Sequence, residues 1–160
     1  MIPTWSCLLG LVVLLAAVPG SAVAPALAQA PRGSEPAAPT LYKRLGGYDV
    51  IAAFVDTAFP RVAAHPALRR LFEGHSLESK VRQRQLIVDI LCQATGGPCF
   101  YTGRAMKPVH AGLGITGAEW STFIGIIGTA LDDLRVPTSE KRELLQIFAQ
   151  RFRPDVVEQP

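Results

Sequence analysis

From Trp120 to Leu134 the apolar side chains return every three or four residues, as Trp120, Phe123/Ile124, Ile127, Ala130/Leu131 and Leu134. That period marks one face of an α-helix, and such a face is stable only when another element covers it. Three further stretches carry the same rhythm: Val50/Ile51 to Val62, Leu86/Ile87 to Ala94, and Leu144/Leu145 to Phe152. No stretch sustains a two-residue alternation, so nothing argues for a sheet. The expected fold class is therefore all-α, with four main helices burying their stripes on one another.

The punctuation agrees. Gly46-Gly47 separates a short first helix from the second, and Gly96-Gly97-Pro98 stops the third. Thr116 to Glu119 reads as a capping box, and Val136 to Glu140 as a turn with a new helix start. Pro60 interrupts the second stripe, and a kink is expected there because proline removes one backbone hydrogen bond. Between Gly97 and Thr116 the chain runs PCFYTGRAMKPVHAGLGI, which leaves room for one short helix from roughly Arg104 to His110.

The chain has no Asp, Glu, Lys or Arg before Arg32. Its run Cys7 to Val18 is continuously apolar, and Pro19-Gly20 and small residues up to Ala30 follow it. This reads as a signal peptide over 1–28, cut after Ala28, and implies a periplasmic or secreted protein. The alternative is an uncleaved membrane anchor, against which stands a run shorter than the roughly 20 residues a spanning helix needs. Residues 29–40 read as a flexible linker rich in proline and alanine, and 41–157 as the folded domain. A net charge of +3 comes from dispersed basic residues such as Arg69-Arg70 and Lys80 to Arg84. They form no aromatic-interleaved stripe, so neither nucleic acid nor, after cleavage, a membrane is an expected partner.

Of the three histidines, His110 stands among apolar and small residues: Met106, Val109, Leu113, Ile115 and the glycines 112 and 114. By itself it is either a core histidine satisfied by one hydrogen bond or a ligand. Zinc would need further His, Cys or Asp at ligand spacing, and none is near. Nucleophilic catalysis has no Gly-x-Ser-x-Gly elbow to support it. A single imidazole suits a cofactor that brings its other ligands, as haem does, seated in an apolar slot between helices.

The segment GGPCFYTGRAMKPVHAGLGIT, Gly96 to Thr116, resembles the signature of the group I truncated haemoglobins. The two glycine pairs, LYKRLGG at Leu41 to Gly47, and LFEGH at Leu71 to His75 match in order and spacing. The resemblance implies a two-over-two globin fold, four main helices around one haem b (iron protoporphyrin IX). It implies His110 as proximal iron ligand and Phe72 as the ring packed on the haem face. Met106, Ile115, Trp120 and Phe123 would line the proximal and back walls. Tyr101, Lys107 and Arg104 would stand near the propionates.

On the opposite side the chain departs from the family. Where many members carry a tyrosine on the second helix, this one has Phe59, without a donor. A few extra residues between Phe72 and the third helix allow two registers. Counting back from Gly96-Gly97 puts Gln83 and Ile87 over the haem. Counting forward from Phe72 puts Lys80 and Arg84 there. The first keeps an apolar residue inside and is preferred, leaving Gln83 as the one donor and a weaker hold on oxygen than in tyrosine-bearing relatives.

Cys92 and Cys99 bracket the Gly96-Gly97-Pro98 turn, and in an exported chain this pair is most simply a disulfide. Two separate buried thiols are the alternative. The expected activity is reversible binding of O2, NO or CO by a monomer or weak dimer. The alternative is nitric oxide dioxygenation or another detoxification of NO or reactive oxygen, served by an external reductase.

Overall fold

Thr40 opens the folded chain by accepting the Lys43 amide on its side-chain oxygen, a helix cap at the first residue of the domain. The computed structural model describes residues 38–158. The expected signal peptide, and all but the last residues of the linker, lie outside them. Seven α-helices follow in order: α1 (Leu41–Leu45), α2 (Tyr48–Ala64), α3 (Leu77–Ala94), α4 (Met106–His110), α5 (Gly117–Asp133), α6 (Thr138–Ile147) and α7 (Arg153–Val156). A 3₁₀ turn, Arg69–Phe72, lies between α2 and α3, and a π-helical turn, Phe148–Phe152, joins α6 to α7. No strand occurs among the described residues.

The four apolar stripes become α2, α3, α5 and the run from α6 into the π turn. α2 lies at the centre and packs on both α3 and α5. Phe54, Val55 and Ala58 of α2 join Val88 and Leu91 of α3 and Ile127, Ala130 and Leu131 of α5 in one buried core. A chain of rings extends it: Trp120 to Phe123 at 5.3 Å, Phe123 to Phe148 at 5.7 Å and Phe148 to Phe152 at 5.5 Å between centroids. Such tilted and edge-to-face pairs add stabilisation beyond area burial. The π turn keeps both Phe148 and Phe152 on the buried side, at 6% and 5% exposure.

Three local readings meet their structures here. Thr116 and Glu119 form both halves of the capping box. α2 runs on through Pro60 as one helix; Pro60 and Asp56, whose carbonyl loses its amide partner, are both on the exposed side. α4 is shorter than expected because Ala105 is extended (φ −57°, ψ 150°), so the helix starts at Met106.

The glycine turn after α3 does more than stop a helix. A Cβ on Gly97 would run into the Tyr42 ring and Cys92 Sγ, so only glycine admits the close approach of α1 to this corner. Tyr42 N–H donates to the Thr95 carbonyl at 2.8 Å, tying α1 to the end of α3. Cys92 and Cys99 pair across the turn with Cα atoms 5.7 Å apart.

Candidate functional site

α3 leans on α2 and makes no comparable contact with α4 or α5, while α4 packs on the C-terminal α7. Phe59 and Phe72, Ile87 of α3, Met106 of α4 and Phe123 of α5 are among the apolar side chains that stay half-buried. Apolar groups packed on the core yet left partly open suit a slot that takes a flat apolar group. Trp120 and Ile115 are buried outright, at 7% and 6% exposure.

His110 ends α4 and is half-buried. Its Nδ1 lies 2.9 Å from the Met106 carbonyl oxygen, one turn earlier. A carbonyl can only accept, so Nδ1 carries the hydrogen, and in the neutral ring the lone pair is on Nε2. This is how a ligating imidazole is oriented, its far nitrogen fixed by an acceptor and its near one free for a metal. The chain leaves the helix at once: Ala111 is extended, and Gly112 and Gly114 take left-handed conformations at φ +80° and +59°. Only glycine enters that region at little cost, so these two residues set the path from α4 to α5. Among the described residues no three His, Cys, Asp or Glu side chains converge on a metal-sized site. A metal held by His110 would therefore draw its other ligands from a cofactor.

On α3, Gln83 is half-buried and its Oε1 is buried with no hydrogen-bond partner among the described residues. An amide oxygen in that state costs about 1–3 kcal/mol unless something in the slot satisfies it. Ile87, one turn on, packs against the core. Lys80 is exposed, and Arg84 makes a two-pronged pair with Asp56 of α2, Nε and Nη2 each 2.7 Å from a carboxylate oxygen. Phe59 stands edge-on to Phe72, centroids 5.6 Å apart, and Phe72 in turn meets the His75 ring at 6.4 Å.

The residues considered for the propionate edge are divided. Lys107 and Arg104 are exposed and enter no ion pair among the described residues. The Tyr101 hydroxyl donates to the Arg104 carbonyl at 2.8 Å, and burial pushes its phenol pKa up. Its ring lines a cavity of about 200 Å³ with Gln93, Met106, Arg151 and Asp155.

One residue near the site had no signal in the sequence. Arg70 of the 3₁₀ turn reaches Glu119 Oε1 with Nε at 3.0 Å and Nη2 at 2.7 Å. Its other contacts are the Leu113 carbonyl at 2.8 Å and the Gly114 carbonyl at 3.2 Å. As part of Arg69-Arg70 it read only as dispersed charge, because its partners lie more than 40 positions away.

The sequence model of the family described as Bacterial-like globin matches residues 40–156. A group 1 truncated haemoglobin, GlbN, of Mycolicibacterium paratuberculosis is 34% identical over 118 residues, spanning 74% of this chain and 83% of that protein. The crystal structure of the truncated haemoglobin from Tetrahymena pyriformis in its Fe(III) form matches with a TM-score of 0.68 at 22% identity, over 75% of this chain and all of that one. The 2/2 haemoglobin of Synechococcus sp. PCC 7002, in the cyanomet state and with covalently attached haem, matches at 0.67 and 24% identity, over 76% of this chain and all of that one. The helices described above have the two-over-two arrangement of these structures.

Proposed function

Because the chain belongs to the bacterial-like globin family, and so is a haem globin that binds small gaseous ligands, we propose that His110 holds the iron of a haem b between α3 and α4 for reversible binding of O2, NO or CO. The observation that carries this reading is the His110 Nδ1 to Met106 carbonyl bond, which in the neutral ring makes Nε2 the nitrogen with the lone pair. Haem, when bound, supplies an iron with one open position for a diatomic ligand.

The protein's own groups do the rest. Phe72 and Ile87 give the plane of the cofactor apolar contact, and Met106 and Phe123 close the proximal side. Gln83 is the one polar side chain of α3 with an unsatisfied atom in the half-buried layer. A turn about its last torsion presents the amide N–H₂ in place of Oε1, so it can donate one hydrogen bond to a ligand. Phe59 offers none. A single neutral hydrogen bond is worth about 1 kcal/mol net, so the hold on oxygen is weak. The exposed Lys107 and Arg104 are the cations available to the propionates.

Two further assignments belong to this reading. The Cys92–Cys99 pair is a covalent disulfide in the mature protein, and the segment before the domain directs export, where such bonds persist. The domain acts as a monomer or weak dimer.

The test is a visible spectrum of the haem-supplied protein. A Soret band with five-coordinate histidine ligation, lost in His110→Ala, supports the assignment; a spectrum indifferent to that substitution rejects it. Mixing the oxygenated protein with NO separates the two activities. Stoichiometric nitrate in a single turnover would favour dioxygenation with an external reductase over reversible binding alone.

A further inference from the structure

The loop Ala111–Thr116, which carries the chain away from His110, is pinned at separate points. Ala111 N–H donates to the Lys107 carbonyl at 2.9 Å, and Leu113 N–H to the His110 carbonyl at 3.1 Å. Gly112 N–H donates to Glu158 Oε1 at 2.6 Å, and Glu158 N–H to the Ile115 carbonyl at 3.0 Å. All four of these contacts come from α4 itself or from the C-terminal end. The carbonyls of Leu113 and Gly114 are held differently. Among the described residues their hydrogen bonds come from Arg70 alone, at 2.8 and 3.2 Å.

Arg70 sits in the same 3₁₀ turn as Phe72, two positions earlier. Its guanidinium is itself oriented by Glu119 Oε1, while Glu119 Oε2 takes the Thr116 amide at 2.8 Å and hydroxyl at 3.0 Å. The planar fork of arginine lets one side chain meet a carboxylate and two carbonyls at once, which a lysine ammonium on its flexible stem does not reproduce. One residue thus joins the turn bearing Phe72, the start of α5 and the loop that follows His110.

We infer that Arg70 is a positioning residue: through the Leu113 and Gly114 carbonyls it sets the placement of His110 relative to Phe72, and so the strength and tilt of the bond His110 makes to the cofactor. This rests on the assignment of His110 as iron ligand. A side chain spanning both walls of the slot also fixes the width of the slot. Loosening it lets α4 and its imidazole shift while the core on α2 stays packed. With two charge-assisted bonds to carbonyls removed, haem leaves faster by about tenfold, the change expected for losing roughly one such bond.

The experiment uses the whole chain, with and without haem. Arg70→Leu and Arg70→Lys are compared with Arg61→Leu, which removes another ion pair, Arg61–Asp133 at 2.6 Å, without touching this loop. The readouts are the iron–histidine stretching band of the ferrous, ligand-free protein by resonance Raman, haem transfer to an acceptor protein, and hydrogen exchange of the 111–116 amides in the haem-free chain. Arg70→Leu is expected to shift the band, speed haem loss and speed exchange at 111–116, with Arg61→Leu close to wild type in all three. Arg70→Lys is expected to keep the shifted band despite its retained charge.

A wild-type band in Arg70→Leu overturns the inference, as does an equal shift in Arg61→Leu or a full return of the band in Arg70→Lys. If Arg70→Leu fails to fold, the lysine variant and the exchange data decide. His110→Gly separates the underlying assignment: the band should vanish and return with added imidazole. A band that persists without imidazole removes the ligand assignment, and the positioning role with it.

Discussion

His110 and Met106, one helical turn apart on α4, are joined by a 2.9 Å contact between Nδ1 and the backbone carbonyl. The contact decides which ring nitrogen is available. Because it uses a main-chain acceptor, no side-chain substitution at Met106 deletes it. The testable locus is His110 itself. His110→Gly should lose haem at least about a hundredfold faster than wild type, a loss at or beyond the upper end of that for outer contacts around ligands. Added imidazole should restore binding, which is checked by Soret titration.

Gln83 predicts opposite effects on the two states. Gln83→Leu should raise the oxygen off-rate about fivefold, the equivalent of one lost hydrogen bond of about 1 kcal/mol. In the haem-free chain the same change removes an unpartnered buried oxygen, so stability to urea should hold or rise by up to about 1 kcal/mol. An unchanged off-rate by laser photolysis would take Gln83 out of the ligand's reach.

Phe59 offers the converse experiment. Its ring is half-buried and edge-on to Phe72 at 5.6 Å, so a para hydroxyl extends along the same wall. Phe59→Tyr should slow oxygen release by about tenfold, if the new O–H is worth about 1.4 kcal/mol to the ligand. Equal off-rates in the two proteins would place residue 59 away from the bound gas.

For Cys92 and Cys99, mass measurement of the purified protein before and after reduction and alkylation should show one disulfide. Its loop is short, so replacing both residues by serine should cost about 2–3 kcal/mol in denaturant unfolding. The loss should fall on the corner where Cys92, Gly97 and Tyr42 meet, and exchange at the Tyr42 amide reports it.

Acid should weaken the fold through two carboxylates. The Thr116 backbone amide, with Arg70 behind it, holds the Glu119 carboxyl below its ordinary value. The Arg84 guanidinium does the same for Asp56. A carboxylate with a depressed folded pKa stabilises the protein above its unfolded pKa of about 4, and the contribution disappears as pH falls through the folded value. Urea midpoints should therefore be flat above about pH 5 and fall below it. Glu119→Gln and Asp56→Asn should each shallow that decline, while lowering stability at neutral pH.

The stripes on α2, α3, α5 and α6 were legible because a helix in water needs a covered apolar face, and the covering leaves its period in the sequence. The Thr116–Glu119 box was legible for a related reason: it is a local exchange between residues three apart. α2 continues through Pro60 because an exposed position tolerates the missing hydrogen bond. The π turn at Phe148–Phe152 was invisible, because its two phenylalanines keep the four-residue spacing of an ordinary helix.

The site divides in the same way. His110 stood out by its setting and by the resemblance of Gly96–Thr116 to a known family. Its tautomer did not, since that depends on how close the Met106 carbonyl falls once α4 has formed. The choice between Gln83 and Arg84 was open in the sequence, where the count can be taken from either end of α3. In the structure Asp56 on α2 takes up Arg84, and Gln83 is left with an unpaired atom.

The amino-acid sequence by itself determined the all-α class, the Thr116–Glu119 capped start of α5 and the family, because each depends on neighbours within a few turns or on a contiguous motif. The tertiary structure alone decided that Arg70 meets Glu119, Leu113 and Gly114, and that α3 packs mainly on α2. Those relations join residues or elements that are distant in the chain. Neither leaves a local period, since a long-range hydrogen bond constrains geometry without constraining the residues in between.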